Sequence, residues 1–353
     1  MLTKKKTAIL VLALAMCIGV ASAALLQYYG KIISTVDVKQ AIYLDGHLYN
    51  IPVEESFTAT PGDIIWKPHY LESKANVPIE MMFDTKITNS SGLPDGDGII
   101  VTYSTAILQQ IGTGVAQWST GTTRKGAYSV KLTTVTTDDI ARAYVPFGAT
   151  TLAEIGRVSF WTYVTHADNQ WVRPWVGIYL HKNPGVTLEQ WFADYYAGSP
   201  NVFYIQAEPC YTDGYSSDFD VWQYWDSEGQ HPLKWESLEG PDYPYGAPTL
   251  QQYINGDAMS IIYDETAFAS REYGTLYVVG IKFQAGYGGT WANFQGYVDD
   301  VTIGNEPWDL ELFPEDTSFT LQPGERLDFY IKYEFATNIT PDVYTITTEV
   351  QPT

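Results

Sequence analysis

From residue 327 to residue 335 every second side chain is apolar. Leu327, Phe329, Ile331, Tyr333 and Phe335 fall on one face, against Asp328, Lys332 and Glu334 on the other. A period of two is the repeat of an extended strand with one buried face, and it does not fit the 3.6-residue repeat of a helix. The same repeat returns in residues 32–45, where Ile32, Val36, Val38, Ile42 and Leu44 oppose Asp37, Lys39 and Asp45. It returns again where Ile79, Met81 and Phe83 alternate with Glu80, Met82 and Asp84. Long helical periodicity is hard to find. The 27 Tyr, 11 Trp and 14 Phe, punctuated by 29 Gly and 19 Pro, are the composition of strands and turns. The sequence predicts an all-β fold.

The strand-like segments divide unevenly. Residues 46–105 hold short strands between turns such as PGD (61–63) and PDGDG (94–98), and residues 309–353 hold a second short set. Neither fragment is long enough for a core of its own. Joined, they reach the roughly 100 residues of a β-sandwich. The expectation is therefore one sandwich, jelly-roll-like, split by an insertion at residues 106–308. That insertion has a firm strand, RVSFWTYV (157–164), and others at 276–283 and 294–303, with loops rich in aromatics and acids between. Its length suits one larger β-sandwich or jelly-roll.

The N-terminus places the chain. Three lysines (4–6), an apolar run (8–20) and ASA (21–23) predict a secretory signal peptide over residues 1–23, cleaved after Ala23. An uncleaved membrane anchor is the alternative. The expected location is secreted, extracellular or at the cell surface, with no membrane association after cleavage. A formal net charge of −21 opposes nucleic acid and anionic lipid as partners, and it suits calcium, which takes carboxylate oxygens. Cys17 lies in the signal, which leaves Cys210 without an intrachain disulfide partner. Stability then falls to core, metal or assembly. Residues 24–45, directly behind the signal, form a strand that either opens its own domain or pairs with a neighbouring copy of the protein.

Several short stretches carry a resemblance. Gly30, TVDVKQ (35–40), Asp45-Gly46, PGD (61–63), ANVP (75–78), LQPGE (321–325) and YTIT (344–347) resemble exported fibre-forming proteins of the TasA/camelysin kind and their archaeal pilus and cannula relatives. The likeness covers the outer fragments only. It implies subunits in which an N-terminal strand completes the jelly-roll of the next copy, with calcium able to bridge them. The insertion is similar to carbohydrate-binding-module jelly-rolls through GAYSVKL (126–132) and GYVDDVTI (296–303). In such modules the first Asp of the closing motif helps to hold a structural calcium, which corresponds to Asp299. A likeness to a superfold does not by itself bring sugar binding.

Candidate sites follow from residue chemistry. Asp299 and Asp300 are adjacent on a strand, so only one faces inward, and an inward carboxylate needs a cation or hydrogen-bond donors. Asp95 and Asp97 alternate as in a calcium loop, although a plain Asp-Gly turn explains them equally. Asp213, Asp218 and Asp220 share a Gly/Ser loop. Trp222, Trp225 and Trp235 lie among acids and amides, the mix that stacks on sugar rings and bonds hydroxyls, whereas Trp in a sandwich is commonly core. Asn89 and Asn338 head glycosylation sequons, the second followed by Pro341. HExxH and GxSxG are absent, and His47, His69, His166, His181 and His231 are scattered. No enzyme is expected. The expected function is a cell-surface fibre subunit that partners itself by strand addition and displays a lectin-like domain. The alternatives are a monomeric glycan-binding adhesin and, behind it, a secreted glycosidase.

Overall fold

The computed structural model describes residues 42–58, 60–212, 215–237, 247–256, 273–288, 290–308 and 310–353. The predicted signal, and residues 24–41 of the predicted N-terminal strand, lie outside them. The fold is all-β. The first strands are β1 (Ile42–Leu44), β2 (His47–Leu48), β3 (Val53–Thr58), β4 (Ile64–Ser73), β5 (Ile79–Thr88) and β6 (Ile99–Ser104). There follow β7 (Ile107–Ile111), β8 (Val115–Ser119), β9 (Ser129–Thr134), β10 (Ile140–Pro146), β11 (Val158–His166) and β12 (Trp175–His181). Then come β13 (Val202–Ala207), β14 (Trp222–Asp226), β15 (Glu236–Ser237), β16 (Tyr277–Gly286), β17 (Phe294–Ile303) and β18 (Glu306–Trp308). The chain closes with β19 (Leu312–Phe313), β20 (Phe319–Leu321), β21 (Arg326–Phe335) and β22 (Val343–Pro352). Short helices α1 (Leu152–Ile155), α2 (Leu188–Tyr196) and α3 (Leu250–Asn255) decorate the connections.

The outer fragments build two sheets, ordered β19-β6-β21-β4-β1-β2 (sheet 1) and β20-β5-β22-β3 (sheet 2). The middle of the chain builds two more, β15-β13-β12-β16-β10-β7 (sheet 3) and β14-β11-β17-β9-β8 (sheet 4), with β18 beside β17. All pairings between these strands are antiparallel, so the alternation read from sequence becomes one buried face per strand. Phe329, Ile331, Tyr333 and Phe335 turn into the core between sheets 1 and 2. There Phe83 stacks on Tyr103 at 4.3 Å and on Phe319 at 5.1 Å. Phe160 and Phe283, 5.2 Å apart, join sheets 4 and 3 in the larger core. Fully burying each such ring contributes about 2–3 kcal/mol.

The split sandwich and its insertion touch through the opposite face of sheet 1. Trp66 and Tyr330 pack against the larger core, and the Tyr330 hydroxyl donates to the Pro146 carbonyl at 2.9 Å. Tyr330 is the outward residue that breaks the polar face of the 327–335 repeat, and this contact is its reason.

Candidate functional site

Among the described residues, β4 is paired along its length on one side only. β21 pairs β4 along residues 64–72, but on the other side β1 reaches only Leu71, Glu72 and Ser73. Asp45 ends that pairing. Its N–H donates to the Tyr70 carbonyl at 3.0 Å, and its Oδ1 accepts the Tyr70 N–H at 2.9 Å. Its Oδ2 lies 2.7 Å from His69 Nδ1. Burial works to raise the Asp45 pKa, but the His69 and Tyr70 hydrogen bonds outweigh it, and the carboxyl sits below its ordinary range. Backbone groups alternate sides along a strand, so those of Ile64, Trp66 and Pro68 point the same way as those of Tyr70. Among the described residues nothing pairs with them. Six residues of edge span about 20 Å. Proline explains itself here: on the free side its missing N–H costs no ladder bond.

Across the sandwich, the edge of sheet 2 is β3, which turns Val53, Glu55 and Phe57 inward. The gap between β3 and β4 is therefore a slot, bounded by the Asp45-Gly46 turn at one end and the β3–β4 connection at the other. Lys67 Nζ approaches Glu55 Oε1 across it at 3.8 Å, and the Phe57 ring lies 4.7 Å from Tyr333. Glu55 faces the buried Tyr333 hydroxyl here, and His69 Nε2 is buried without a hydrogen-bond partner. Burial first, then a hydrogen bond with the Glu55 carboxylate and its charge, push the Tyr333 hydroxyl far up. An open backbone edge of this kind can pair with an extended segment of chain.

The tryptophans separate. Trp222 opposes Tyr163 and Tyr224 opposes Trp161 on the outer face of sheet 4, with ring centroids 5.4 and 5.1 Å apart. The Arg124 guanidinium sits 4.4 Å over Trp161. Trp225, one residue on, faces inward opposite Phe160 and donates from Nε1 to Thr162 Oγ1 at 2.7 Å. Trp235 is wholly buried. Strand parity is the reason Trp222 alone of the three presents a ring face outward, and the sugar-stacking expectation for Trp225 and Trp235 is corrected accordingly.

The acidic candidates are tied up locally. Asp299 is fully buried, and it accepts the N–H groups of Arg124 (2.5 Å) and Lys125 (3.2 Å) on Oδ2 and of Asp300 (2.6 Å) on Oδ1. Asp95 receives the Asn89 amide at 3.4 Å, and Asp97 is exposed. The loop holding Asp218 turns the carbonyls of Ser216 and Asp218 to the buried guanidinium of Arg173, at 3.4 and 2.9 Å. The Asp218 carboxylate accepts the Ser216 hydroxyl at 2.7 Å, and Asp213 lies outside the described residues. Among the described residues no three or more His, Cys, Asp or Glu side chains gather as a metal site would require. Asn338 is exposed, whereas the Asn89 side-chain Oδ1 accepts the N–H groups of Ser91 and Leu93.

Sequence reading missed a second polar face, on the outer side of sheet 3. Registration aligns Gln109, Arg142, Gln284 and Trp175 in one row and Tyr144, Lys282, Gly177, Gln206 and Glu236 in the next. Arg142 donates to Gln109 (2.7 Å) and Tyr179 (3.1 Å), and Lys282 to Gln284 (2.9 Å) beneath the Trp175 ring. Burial, then the Arg142 charge, hold the Lys282 amine well below its ordinary pKa. Only glycine fits at 177, because a Cβ there would sit 2.3 Å from the Tyr204 hydroxyl. Trp191 of α2 closes over Tyr179 at 4.8 Å. A sign was present: Lys282 and Gln284 interrupt an otherwise apolar strand at spacing two. No helix among the described residues is long and apolar enough to cross a membrane. No protein-family model matches the chain, and no curated protein matches it at a significant level.

Proposed function

We propose that the protein is a secreted cell-surface structural subunit that polymerises by strand addition, each copy lending its N-terminal segment to the next. The observation that carries the reading is the unpaired edge of β4 over residues 64–69. It is supported by the direction of the chain. β1 runs antiparallel to β4 with Ile42 opposite Ser73, so the N-terminal end of β1 lies at the end of β4 remote from the open edge. A head-to-tail contact of this kind does not close on itself and propagates a filament. The test is deletion of residues 24–40 from the mature chain. Ile42 and Leu44 are kept because both are buried in the core. Negative-stain microscopy is expected to show filaments from the intact chain and folded monomers from the truncated one; filaments from the truncated chain would sink the idea. In the same reading a structural calcium belongs at Asp299, and an identical Tm with calcium and with chelator removes it.

A second reading, a glycan-binding adhesin, rests on the outer face of sheet 4. Trp222, Tyr224, Trp161 and Tyr163 offer rings beside the guanidinium of Arg124, a surface suited to sugar faces and hydroxyls. Trp222→Ala is expected to abolish signal on a glycan array, and a wild-type chain silent on every glycan removes this reading.

A further inference from the structure

Two cations on the outer face of sheet 3 lack a counter-charge. Arg142 of β10 is 8% exposed and Lys282 of β16 is 6% exposed. Arg142 lies opposite Gln284 and Lys282 opposite Tyr144, so the two stand diagonally across the β10–β16 pair. Positions so related are about 7–8 Å apart. Among the described residues no carboxylate makes an ion pair with either. Their hydrogen bonds go to neutral oxygens: Gln109 Oε1 and Tyr179 Oη for Arg142, Gln284 Oε1 for Lys282. The two cations respond differently. An ammonium can shed its proton, and burial followed by the Arg142 charge favours that form at Lys282. A guanidinium keeps its charge inside a protein. Arg142 is therefore a standing positive charge among amides, hydroxyls and rings, where an unpaired charge is costly. The acids of this face stand apart from it. Glu236 on β15 is four strands from β10, about 19 Å across the sheet, and Glu189 at the first turn of α2 is exposed to solvent.

We infer that this face binds a small molecule carrying one carboxylate, held by the Arg142 guanidinium, with the Lys282 amine and the Gln109 amide as further donors. The inference concerns the insertion alone and does not rest on strand addition at β4. A planar guanidinium fork matches a carboxylate. One standing positive charge calls for one negative charge, and the net charge of −21 turns polyanions away at long range. The rings of Trp175, Tyr179 and Tyr204 stand 4.2, 5.3 and 5.0 Å from Lys282 Nζ and wall the site for a carbon skeleton. Helix α2 roofs one side, with Trp191 and Phe192 on Tyr179 at 4.8 and 5.7 Å. Gln109 and Gln206, half-buried at the two margins, are where the face meets solvent. The titratable groups facing Lys282 are Arg142 and Tyr144 from β10, Tyr179 from β12 and Tyr204 from β13, and burial keeps the three phenols protonated. A carboxylate arriving among them favours the ammonium form of Lys282, so the ligand enters with a proton.

Calorimetric titration of the mature chain with glucuronate, benzoate and acetate tests this, with glucose and inorganic phosphate as controls. Each titration is run near neutral pH in two buffers of different ionisation enthalpy. Binding of any of the three carboxylates, with a heat that differs between buffers through proton uptake, supports the site. Binding of glucose as tightly as glucuronate, binding of phosphate alone, or silence from all three carboxylates overturns it. Arg142→Met removes the charge and keeps most of the volume. It is expected to weaken carboxylate binding at least about tenfold. The Tm of the ligand-free variant is expected to hold or rise, because the unpaired charge is gone. A lower Tm with unchanged binding makes Arg142 a structural residue and overturns the proposal. Lys282→Met leaves the guanidinium fork in place and gives a second reading. It is expected to bind the same carboxylate more weakly, with a heat that no longer depends on the buffer. A buffer dependence that survives this substitution overturns Lys282 as a group that faces the ligand.

Discussion

Single residues set the pH behaviour of this molecule. Burial, and then the charge of Glu236, push Glu208 up to about 7 from an ordinary value of 4.5. Below about 4.5 the group is protonated whether the chain is folded or not, so it costs nothing. As pH rises toward 7 the unfolded chain releases the proton while the folded chain keeps it, and stability falls through that window before levelling off. The loss is about 3 kcal/mol at most. Glu208→Gln is expected to flatten this part of the profile and to raise the Tm at pH 7.5; urea titrations at pH 4.5, 6 and 7.5 check it. Asp139 works in the opposite sense. The N–H of Thr136 leads, against burial, and with Thr113 and Val135 holds its carboxyl well below the usual range, so the stability it supplies disappears only in acid. Neither role was legible beforehand. Asp138-Asp139 reads as one more acidic pair, and nothing in a sequence says that the second folds under the Gly112-Thr113 turn.

Strands were legible where the period of two survived, as in β21, β5 and β17, and the reason is that one face of each is buried. Helix α2 was missed although its signal is there. Thr187 caps it by accepting the Gln190 N–H at 3.2 Å, and Leu188, Trp191, Phe192 and Tyr195 follow at helical spacing. Nine residues of helix among long aromatic loops carry little periodic weight. The open edge of β4 was legible only in part. Pro68 in IIWKPHYLES marks an edge strand, but the missing neighbour emerges from where β1 stops, which depends on Asp45 turning at φ 50°. The burial of Trp225 and Trp235 was hidden for the same reason as that of Asp139: parity and packing, not composition, choose the face. Pro68 has a testable consequence for the element. In a chain lacking residues 24–40, Pro68→Val restores an N–H to the free edge, which then resembles an ordinary pairing template. Light scattering at 37 °C is expected to rise severalfold over the truncated parent. Equal scattering means that the edge is protected by something other than the proline.

At the scale of the whole molecule, charge opposes the proposed assembly. In the strand-addition reading, the net charge of −21, which becomes −24 once the three signal lysines are cleaved, makes copies repel one another before they touch. Residues 1–41 hold five Lys and one Asp, so the acidic excess belongs to the body of the chain. Screening shortens that repulsion to about 8–10 Å near physiological salt. Filament growth is therefore expected to speed up severalfold between about 20 and about 300 mM salt, and turbidity kinetics that slow over this range refute it. Chain order adds a control in time. β4 and β6 are made before the insertion, but β21, which lies between them in sheet 1, and β22, the central partner of β3 and β5, come last. About 220 residues, or some 10–40 s of synthesis, separate the two halves. A chain stopped at residue 310 is thus expected to show a protease-resistant insertion and a digestible residues 42–104. Until β21 and β22 have been made, β4 and β6 lack the strand that joins them and β3 and β5 lack theirs, so both sheets of the sandwich close in one late step.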